Sequence, residues 1–336
     1  MRNSKRMILG VLGALVLLLG AVAAAAWWWL MERAVPMVSS TVDYVVETGM
    51  GPRHIARHMA EAGIEVHEDS FVLLARYAEA DKRLRAGAYQ AEAGDSLWDL
   101  LQRMVEGNMQ QTRLTLVEGW SFAQMMRKIA EHPQIRHTLA DHSAEEIAQI
   151  LEIDAPHPEG LFHPDTYVFA PGTKDIDILR RAYETQVQIL DQLWAQRADD
   201  LPLATPYEAL ILASIVEKET GHAEDRHRVA GVFINRLKKG MLLQTDPTVI
   251  YGMGERYQGR IRKSDLTTDT PWNTYTRPGL PPTPIALPGT AALEAVLNPE
   301  VHDYYYFVAR GDGTSEFSKN LSQHNRAVAK YILGRR

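Results

Sequence analysis

The chain has 336 residues, no Cys, and 36 Lys and Arg against 42 Asp and Glu, which gives a formal net charge of −6. The absence of Cys excludes a disulfide scaffold, a Cys-ligated zinc or iron–sulfur site, and a cysteine nucleophile. The acidic balance argues against general nucleic-acid binding, which requires a basic face.

The first predicted element is the uncharged apolar segment Met7 to Leu30, which is 24 residues long. As a helix it would extend about 36 Å, enough to cross a hydrocarbon core of about 30 Å, so it predicts a single transmembrane helix. Three cations precede it: Arg2, Lys5 and Arg6. By the positive-inside rule, residues 1–6 form a cytoplasmic tail and everything after Glu32 lies outside the cytoplasm. The tryptophans at the far end would sit in the interfacial belt.

A cleaved signal peptide is the alternative interpretation of the same segment, because the alanines from Ala23 to Ala26 offer small-residue cleavage sites. A typical signal peptide has an apolar region of about 7–15 residues followed by a polar stretch. Here the apolar run continues through Trp27, Trp28 and Trp29 with no polar stretch before them. The pattern therefore favours the membrane helix.

After a linker over residues 31–41, a strand–turn–helix pattern recurs. It is found at Val46–Gly49, Ala91–Ser96 and Val117–Ser121, each time with a Gly turn, a nearby Ser or Pro, and an amphipathic helix downstream. The spacing is too irregular for a solenoid, so small strand–helix units are predicted. A long amphipathic helix is predicted further on, over Asp175–Ala198.

Residues 42–118 contain the first two of these units together with Leu84–Tyr89, and they resemble a LysM-like module. That resemblance implies binding of glycans that contain N-acetylglucosamine. A packing or spacer domain is the alternative. With residues 119–336 as a mixed α/β domain, the predicted fold class is α+β.

The apolar segment Ala209–Val216 predicts a helix inside a domain, since it is hydrophobic almost all round. Thr205 as N-cap, Pro206 at the first helical position and Glu208 as the partner of a capping box predict its start. Gly221 is predicted to end it.

Two glutamates, Glu217 and Glu219, fall in the last turn of this helix and point about 160° apart, so they cannot both face one substrate. Glu217 lies along a stripe of small and apolar groups with Leu210, Ala213 and Ser214 beside it. Partial desolvation there would raise its pKa, as a general acid near neutral pH requires. A solvated helix end is the alternative.

Several motifs surround this helix in a fixed order: Ala213–Thr220, Val232–Leu237, Leu243–Gly252, Asn273–Tyr275, Gly279–Pro282, Pro284–Ile285 and Asn320–Asn325. With the apolar segment, the LysM-like part and the segment Glu159–Tyr167, they resemble the endolytic murein transglycosylases, the YceG-like family, over essentially the whole chain. His163 departs from the pattern, since an aromatic residue such as Phe or Trp is expected there.

The resemblance implies a lyase that cleaves the β-1,4 bond between N-acetylmuramic acid and N-acetylglucosamine in nascent glycan strands, leaving 1,6-anhydro-muramyl ends and terminating or trimming elongation. Glu217 matches the catalytic glutamate of the family. One carboxyl suffices: it protonates the leaving oxygen, then takes the proton of the sugar's own C6 hydroxyl. No second carboxylate, metal or cofactor is expected.

Polar residues in the Gly- and Pro-rich loops are the predicted substrate-binding groups, because such loops carry binding groups on a rigid scaffold. They are Gln244, Asp246, Tyr251, Asn273, Tyr275, Asn320 and His324. Loop structure is the alternative for each, with Asp246 in a turn before Pro247 and Asn320 as a helix cap. Supporting roles without substrate contact are predicted for Ser214, Asn235 and Glu219, the last by holding a loop or Arg236.

The implied location is the bacterial inner membrane, with a single pass and the catalytic part outside the cytoplasm. The implied partners are peptidoglycan glycan strands, with membrane-bound peptidoglycan synthases as candidates. A non-catalytic, membrane-anchored glycan-binding scaffold is one rival hypothesis. Another is a glycoside hydrolase with Asp246 as second carboxylate, which would leave reducing ends.

Three further motifs were weighed against other chemistries. His54 and His58 have the spacing of two zinc ligands, but neither the expected Glu nor a third ligand accompanies them, which favours a solvated helix face. Ser214 lacks the glycines of a nucleophile elbow. Gly252-Met253-Gly254 lacks the third Gly of a dinucleotide loop.

Overall fold

A computed structural model describes residues 2–155 and 157–334 of the chain, and these residues form two compact units. The first unit contains the residues up to Thr112 together with Val168–Gly172. The second contains Arg113–Tyr167 and the residues from Thr173 onward. The architecture is mixed, with many helices and short two-stranded sheets.

The N-terminal apolar segment is part of the helix α1, Arg2–Met31. Its stretch Leu12–Trp29 has a mean hydropathy of 1.9 and is exposed. Within the described ranges it is the one helix whose length and composition would allow it to cross a membrane. The predicted cytoplasmic tail depends on Met1 and on the side chains of Arg2, Lys5 and Arg6, which lie outside the described residues.

The first unit then alternates strands and helices: β1 (Thr41–Val46), α2 (Pro52–Glu61), α3 (Glu68–Tyr77), β2 (Gly87–Glu92) and α4 (Leu97–Glu106). β1 and β2 pair antiparallel from Thr41 opposite Glu92 to Val46 opposite Gly87. Every second residue of β1 is buried, because side chains alternate across a strand. These residues pack with the apolar faces of α2, α3 and α4 into one core.

The remaining elements follow in chain order: β3 (Thr112–Thr115), α5 (Phe122–Ala130), α6 (Ala144–Ile150), β4 (Thr166–Phe169), α7 (Asp175–Ala195), α8 (Pro206–Glu219), α9 (Ala223–Lys238), α10 (Asp246–Met253), α11 (Lys263–Thr267), α12 (Thr290–Leu297), β5 (Tyr306–Ala309), β6 (Ser315–Ser318) and α13 (Leu321–Tyr331). α8 is the centre of the second unit, with Ala209–Val216 buried all round. α12 packs against α7, α8 and α9.

Two of the predicted strand–helix units are confirmed as β1–α2 and β2–α4. The third is present as β3–α5, but its strand ends at Thr115, before the predicted Val117. Ser96 and Ser121 close capping boxes at the starts of α4 and α5. Such a box satisfies two backbone N–H groups that a helix start otherwise leaves free, which explains why the helices begin there.

The start of α8 is confirmed at Pro206 with Thr205 as its N-cap, but the capping box differs from the prediction. The Thr205 hydroxyl accepts from the Glu208 N–H at 3.2 Å, whereas the Glu208 carboxylate accepts from the Ala204 N–H at 2.6 Å. The helix also ends earlier than predicted, at Glu219, because Thr220 turns to extended backbone.

The long helix α7 begins at Asp175 as predicted but ends at Ala195, three residues early, and Lys174 is its N-cap. Asp175 is buried, and its carboxylate accepts the N–H groups of Thr138 and Leu139 at 2.8 and 3.0 Å. It therefore fixes the loop before α6 instead of capping its own helix.

Candidate active site

Glu217 lies in the last turn of α8 with its side chain half-buried. Its Oε2 accepts a hydrogen bond of 3.1 Å from the backbone N–H of Gly289. Gly289 is the N-cap residue of α12, so the carboxyl group is held at the positive end of that helix. This bond orients Oε2 of Glu217. Because both oxygens belong to one rigid carboxyl group, it also fixes the direction of Oε1.

A loop formed by Glu118–Ser121 lies against the same turn of α8. Lys218 Nζ donates to the Gly119 carbonyl oxygen at 3.0 Å. A Cβ on Gly119 would lie 4.0 Å from Glu217 Cγ, so this position of the loop faces the glutamate. Gly119 has φ of +75°, a conformation that favours glycine, and this allows the loop to turn there.

The segment 283–289, which we call the wall segment, lies beside the loop and is joined to it by two backbone hydrogen bonds. Gly119 N–H donates to the Leu287 carbonyl at 2.9 Å, and Leu287 N–H donates to the Trp120 carbonyl at 2.7 Å. Leu287 accepts one hydrogen bond from the loop and donates another to it, so the loop and the wall segment are held in one register. Glu217 lies where these two segments meet the end of α8.

Ser214 supports this wall one turn before Glu217. Its hydroxyl donates to the Ile211 carbonyl at 2.7 Å and accepts the Ile285 N–H at 3.0 Å. Ser214 is fully buried, so its hydroxyl satisfies a backbone group that water does not reach. The predicted supporting role of Ser214 is consistent with these contacts.

The pKa of Glu217 is raised from its ordinary value, mainly because burial disfavours the charged form. The nearby carboxylate of Glu118 adds to this effect, while the Gly289 N–H and the cations Arg226 and Lys218 oppose it. The direction agrees with the expectation from the sequence. A carboxyl with a raised pKa keeps its proton closer to neutral pH, which suits a general acid.

A second buried carboxyl, Glu159, was not singled out from the sequence. It is 2% exposed, its Oε1 accepts the Phe122 N–H at 2.8 Å, and its Oε2 accepts the Tyr251 hydroxyl at 3.0 Å. Burial raises its pKa to about 7, and the two hydrogen bonds oppose the rise. Glu159 joins α10 to the start of α5, directly after the Glu118–Ser121 loop.

The residue after Glu159 is Gly160, and its surroundings explain why a glycine is needed at that position. It has φ of +78°, and an added Cβ would lie 2.4 Å from Pro284 Cβ. The Glu159–Gly160 turn therefore packs against the wall segment more closely than any side chain would allow. In the sequence, this contact is indicated only by the Glu159–Gly160 pair, which directly precedes the aromatic residues of the segment Glu159–Tyr167.

Glu219 faces a different set of groups, as the helical geometry predicted. Its Oε1 accepts a short hydrogen bond from the Thr245 hydroxyl. Burial raises the pKa of Glu219, with Asp246 adding to the rise and Arg236 opposing it. The charges that act on Glu219 are thus distinct from those that act on Glu217.

Arg236 and the predicted binding residues around it form what we call the Glu219 cluster: Glu219, Arg236, Thr245, Asp246, Tyr275, Tyr306 and His324. Tyr275 donates to Asp246 Oδ1 at 2.6 Å. Arg236 donates to the carbonyls of Leu243 and Tyr305, both at 2.7 Å. Arg236 is thus held by backbone carbonyls, and it acts on Glu219 through charge, so a holding role of Glu219 toward Arg236 stays a prediction.

His324 extends the cluster by stacking on Tyr306, whose ring centroid is 5.2 Å away. The guanidinium of Arg236 lies over the same Tyr306 ring at 5.1 Å. The pKa of His324 is lowered, first by burial and then by Arg236. Gln244 directly precedes Thr245 of the cluster, and it is exposed. Its φ is +50°, and its N–H donates to the Thr274 carbonyl oxygen at 3.1 Å.

Three predicted residues have side chains engaged with the backbone. Asn273 is 1% exposed; its Nδ2 donates to the Thr268 carbonyl at 2.7 Å and its Oδ1 accepts the Tyr275 N–H at 2.8 Å. Asn320 is the N-cap of α13 and accepts the Gln323 N–H at 3.0 Å. Asn235 donates to the carbonyls of residues 302 and 304.

Three groups therefore hold part of the predicted set. Glu217 and Ser214 contact the wall segment, Tyr251 belongs with Glu159, and Asp246, Tyr275 and His324 belong with Glu219. The remaining predicted residues, Gln244, Asn235, Asn273 and Asn320, lie outside these groups. In residues 2–155 and 157–334, no three His, Asp or Glu side chains are grouped so that they could hold a metal ion.

Comparison with known proteins adds sequence and structural relatives. The profile of the YceG-like family matches residues 44–330. The chain is 32% identical to the endolytic murein transglycosylase of Bacillus subtilis (strain 168) over 311 residues, covering 87% of this chain and 85% of that protein. It is 26% identical to the endolytic murein transglycosylase of Streptococcus pneumoniae (strain ATCC BAA-255 / R6), covering 90% of this chain but 61% of that relative.

A solved structure of a yceG-like protein has a similar fold. The crystal structure of a yceG-like protein from Listeria monocytogenes aligns with a TM-score of 0.54 at 29% sequence identity. The alignment covers 85% of this chain and 98% of that chain.

Proposed function

The chain belongs to the YceG-like family, and on that premise we propose that it is an endolytic peptidoglycan lytic transglycosylase. It cleaves the β-1,4 bond between N-acetylmuramic acid and N-acetylglucosamine in nascent glycan strands and leaves 1,6-anhydro-muramyl ends. The observation that carries the proposal is Glu217, a half-buried carboxyl with a raised pKa, held by Gly289 between a loop and a wall segment.

In the first step Glu217 acts as the general acid. Its Oε2 is held by the Gly289 N–H, so Oε1 carries the proton to the glycosidic oxygen. The bond between C1 of the muramyl residue and that oxygen breaks, and the N-acetylglucosamine side leaves with a free hydroxyl. Burial and Glu118 both favour the protonated form that this step requires.

In the second step the ionised Glu217 acts as the general base. It takes the proton from the C6 hydroxyl of the same muramyl residue, and O6 closes on C1. The carboxyl regains its proton, so one group completes the cycle and no water is added. Ionised Glu217 is stabilised by the Gly289 N–H and by the cations Arg226 and Lys218.

We propose the exposed and half-buried members of the predicted set as the sugar-binding groups: Gln244, Asp246, Tyr251, Tyr275, Asn320 and His324. Asn273 would contribute indirectly, because its amide is engaged with the loop backbone. Glu219, Ser214 and Asn235 would hold the elements that carry these groups.

The finer organisation is also a proposal. Residues 42–118 would form a LysM-like glycan-binding domain, in line with the β1–α2 and β2–α4 units, and residues 119–336 the catalytic domain. The apolar stretch of α1 would anchor the chain in the bacterial inner membrane by a single pass, with residues 1–6 cytoplasmic and 31–41 as linker. Membrane-bound peptidoglycan synthases would then be neighbours of the enzyme.

The rival hypotheses have less support. The relatives in Bacillus and Streptococcus bear the name of an enzyme, which disfavours a non-catalytic scaffold. A hydrolase with Asp246 as second carboxylate is disfavoured because Asp246 accepts from Tyr275 and acts on Glu219, while Glu118 is the carboxylate that acts on Glu217.

Digestion of purified glycan strands tests the proposal. Mass spectrometry of the products should show anhydro-muramyl ends with the full-length chain in detergent and none above background with Glu217→Gln. Reducing ends in place of anhydro ends would indicate a hydrolase. The absence of new ends of either kind would favour the scaffold.

A further inference from the structure

A basic pocket lies on the second unit at the C-terminal end of α10, outside the three groups of site residues. It has a volume of about 250 Å³, and its polar lining includes Arg256, Arg260, Arg262 and Thr270. Val249 and Met253 of α10 form its apolar side. A second opening of about 510 Å³ shares Arg260 and Arg262 and adds Lys263, so the two form one groove.

The charge of this groove is unusual in a chain with a net charge of −6. Within the described part of the chain, none of the cations Arg256, Arg260, Arg262 and Lys263 forms a salt bridge. Asp265 also lines the pocket, but its Oδ2 accepts the Arg262 N–H at 2.7 Å and is turned toward the backbone. The guanidinium groups are therefore available to an external anion.

Thr270 is a second and independent indication of a ligand. Its Oγ1 is buried and has no hydrogen-bond partner among the described residues, although it lines the pocket. A buried hydroxyl without a partner costs free energy, so a ligand that supplies one is favoured there. The Gly252 backbone packs against this hydroxyl, since a Cβ on Gly252 would lie 2.5 Å from Thr270 Oγ1.

α10 connects this pocket to the carboxyl group of Glu159. Tyr251 donates to Glu159, while Val249 and Met253, two residues before and after it, line the pocket. Residues two apart on a helix point about 160° apart, so the pocket lies on the face of α10 away from Tyr251 and Glu159, about one helix diameter, roughly 10 Å, across. A peptide branch extends by about 3.3 Å per residue, so a branch of a few residues would reach the groove from the Glu159 side of the helix.

We propose that this groove binds carboxylates of the peptide stem on a muramyl residue of the glycan strand. The inference rests on the proposed function, because the stem is the part of that substrate that bears carboxylates. Arg guanidinium groups bind carboxylates in paired hydrogen bonds. Thr270 Oγ1, which is buried against Gly252, donates to one of the carboxylate oxygens after rotation about Cα–Cβ, and Val249 and Met253 contact the apolar stem side chains. The enzyme would then prefer strands that keep their stems.

The test compares two substrates that differ only in the stem: uncross-linked strands with stems, and the same strands after an amidase has removed them. The full-length chain is used in zwitterionic nanodiscs, and anhydro-end formation gives kcat/KM. We expect the wild-type chain to favour stem-bearing strands by about tenfold. The variant R256Q/R260Q/R262Q should lose that preference and keep its rate on bare strands.

A matched control, R127Q/K128Q/R180Q, removes three exposed charges from α5 and α7 and should behave as wild type. Thr270→Val keeps the shape of the side chain and removes the hydroxyl, so it should reduce the preference by about threefold. The proposal is overturned if the wild type shows no preference, or if the triple Arg variant slows equally on both substrates. It is also overturned if the deficit appears only with anionic lipid in the nanodiscs, since a headgroup would then be the ligand.

Binding of the free stem peptide, followed by calorimetry, separates this proposal from the proposed function. If the wild type binds the peptide and the triple Arg variant does not, the pocket is supported even when no anhydro ends form. If anhydro ends form but neither chain binds the peptide, the pocket assignment is overturned and the lytic activity stands.

Discussion

The two sides of the last turn of α8 differ in what surrounds a glutamate. Glu217 is half-buried, lies between a loop and the wall segment, and has one oxygen held by a backbone N–H. Glu219, two residues later, is bonded to the Thr245 hydroxyl and lies beside Arg236. Burial raises the pKa of both. A raised pKa alone therefore does not distinguish a proton donor from a structural carboxyl; the partners do.

The largest expected effect is on the Glu217 side. Glu217→Gln removes the transferable proton while keeping the size of the side chain and an acceptor for the Gly289 N–H. We expect a loss of anhydro-end formation of about 10³-fold, the usual worth of a general acid. The melting temperature should not fall, because a neutral amide replaces a group whose ionised form is disfavoured by burial. A variant with more than a tenth of wild-type activity would remove Glu217 from the mechanism.

Glu159 sharpens the comparison, because it is more deeply buried than Glu217 and its pKa is raised to about 7 from an ordinary value of 4.5. The folded state holds this proton more tightly than the unfolded state. Its contribution to stability is full below about pH 4.5 and is lost as the pH rises to about 7, a change of about 3 kcal/mol.

Urea unfolding at pH 5, 6 and 7 measures that change. Glu159→Gln should show a shallower decline than wild type over this range, because the amide does not titrate. Activity should fall far less than in Glu217→Gln, since the amide oxygen still accepts the Phe122 N–H. Identical pH slopes for wild type and variant would contradict the assignment.

The Glu219 side should respond in stability more than in chemistry. Glu219→Ala leaves the Thr245 hydroxyl without its acceptor and removes a negative charge that acts on the buried Arg236, so the free energy of unfolding should fall by about 1–3 kcal/mol. Chemical denaturation measures this, with Glu217→Gln as the matched control. A Glu219→Ala variant of normal stability that loses activity as severely as Glu217→Gln would reverse the two roles.

The smallest effect is expected at Ser214. Ser214→Ala leaves the buried Ile285 N–H without its acceptor, which should cost about 1 kcal/mol and lower activity a few-fold by loosening the wall. Ser70→Ala, on α3 of the first unit, is the control. Thermal melting with activity assays would detect the difference, and a stability equal to that of the control would show that Ser214 does not hold the wall.

Local features of the fold were accessible from the sequence because short-range chemistry decides them. Ser96, Ser121 and Thr205 mark helix starts through hydrogen bonds to residues three positions on. The opposite directions of Glu217 and Glu219 follow from the helical period alone. Ala209–Val216 is buried, as its almost entirely apolar composition predicted.

The rest of the site depends on contacts between residues far apart in the chain. Gly289 lies 72 positions from Glu217, and Tyr251 lies 92 from Glu159, so neither pair leaves a local pattern. Asn273 is a residue type that often binds ligands in loops, but here it is buried and bonded to the backbone of neighbouring loop residues such as Thr268 and Tyr275. Its role depends on which carbonyls the fold brings near, and the residue type does not reveal that.

The exchange of hydrogen bonds between Gly119, Trp120 and Leu287 uses only main-chain atoms. Side chains at positions 120 and 287 can change without removing a donor or an acceptor from this joint. Leu287 is fully buried, so its side chain belongs to the core and tolerates little change. Trp120 is half-buried, so substitutions at that one position change the surface of the loop while the main-chain joint keeps the loop and the wall segment in register.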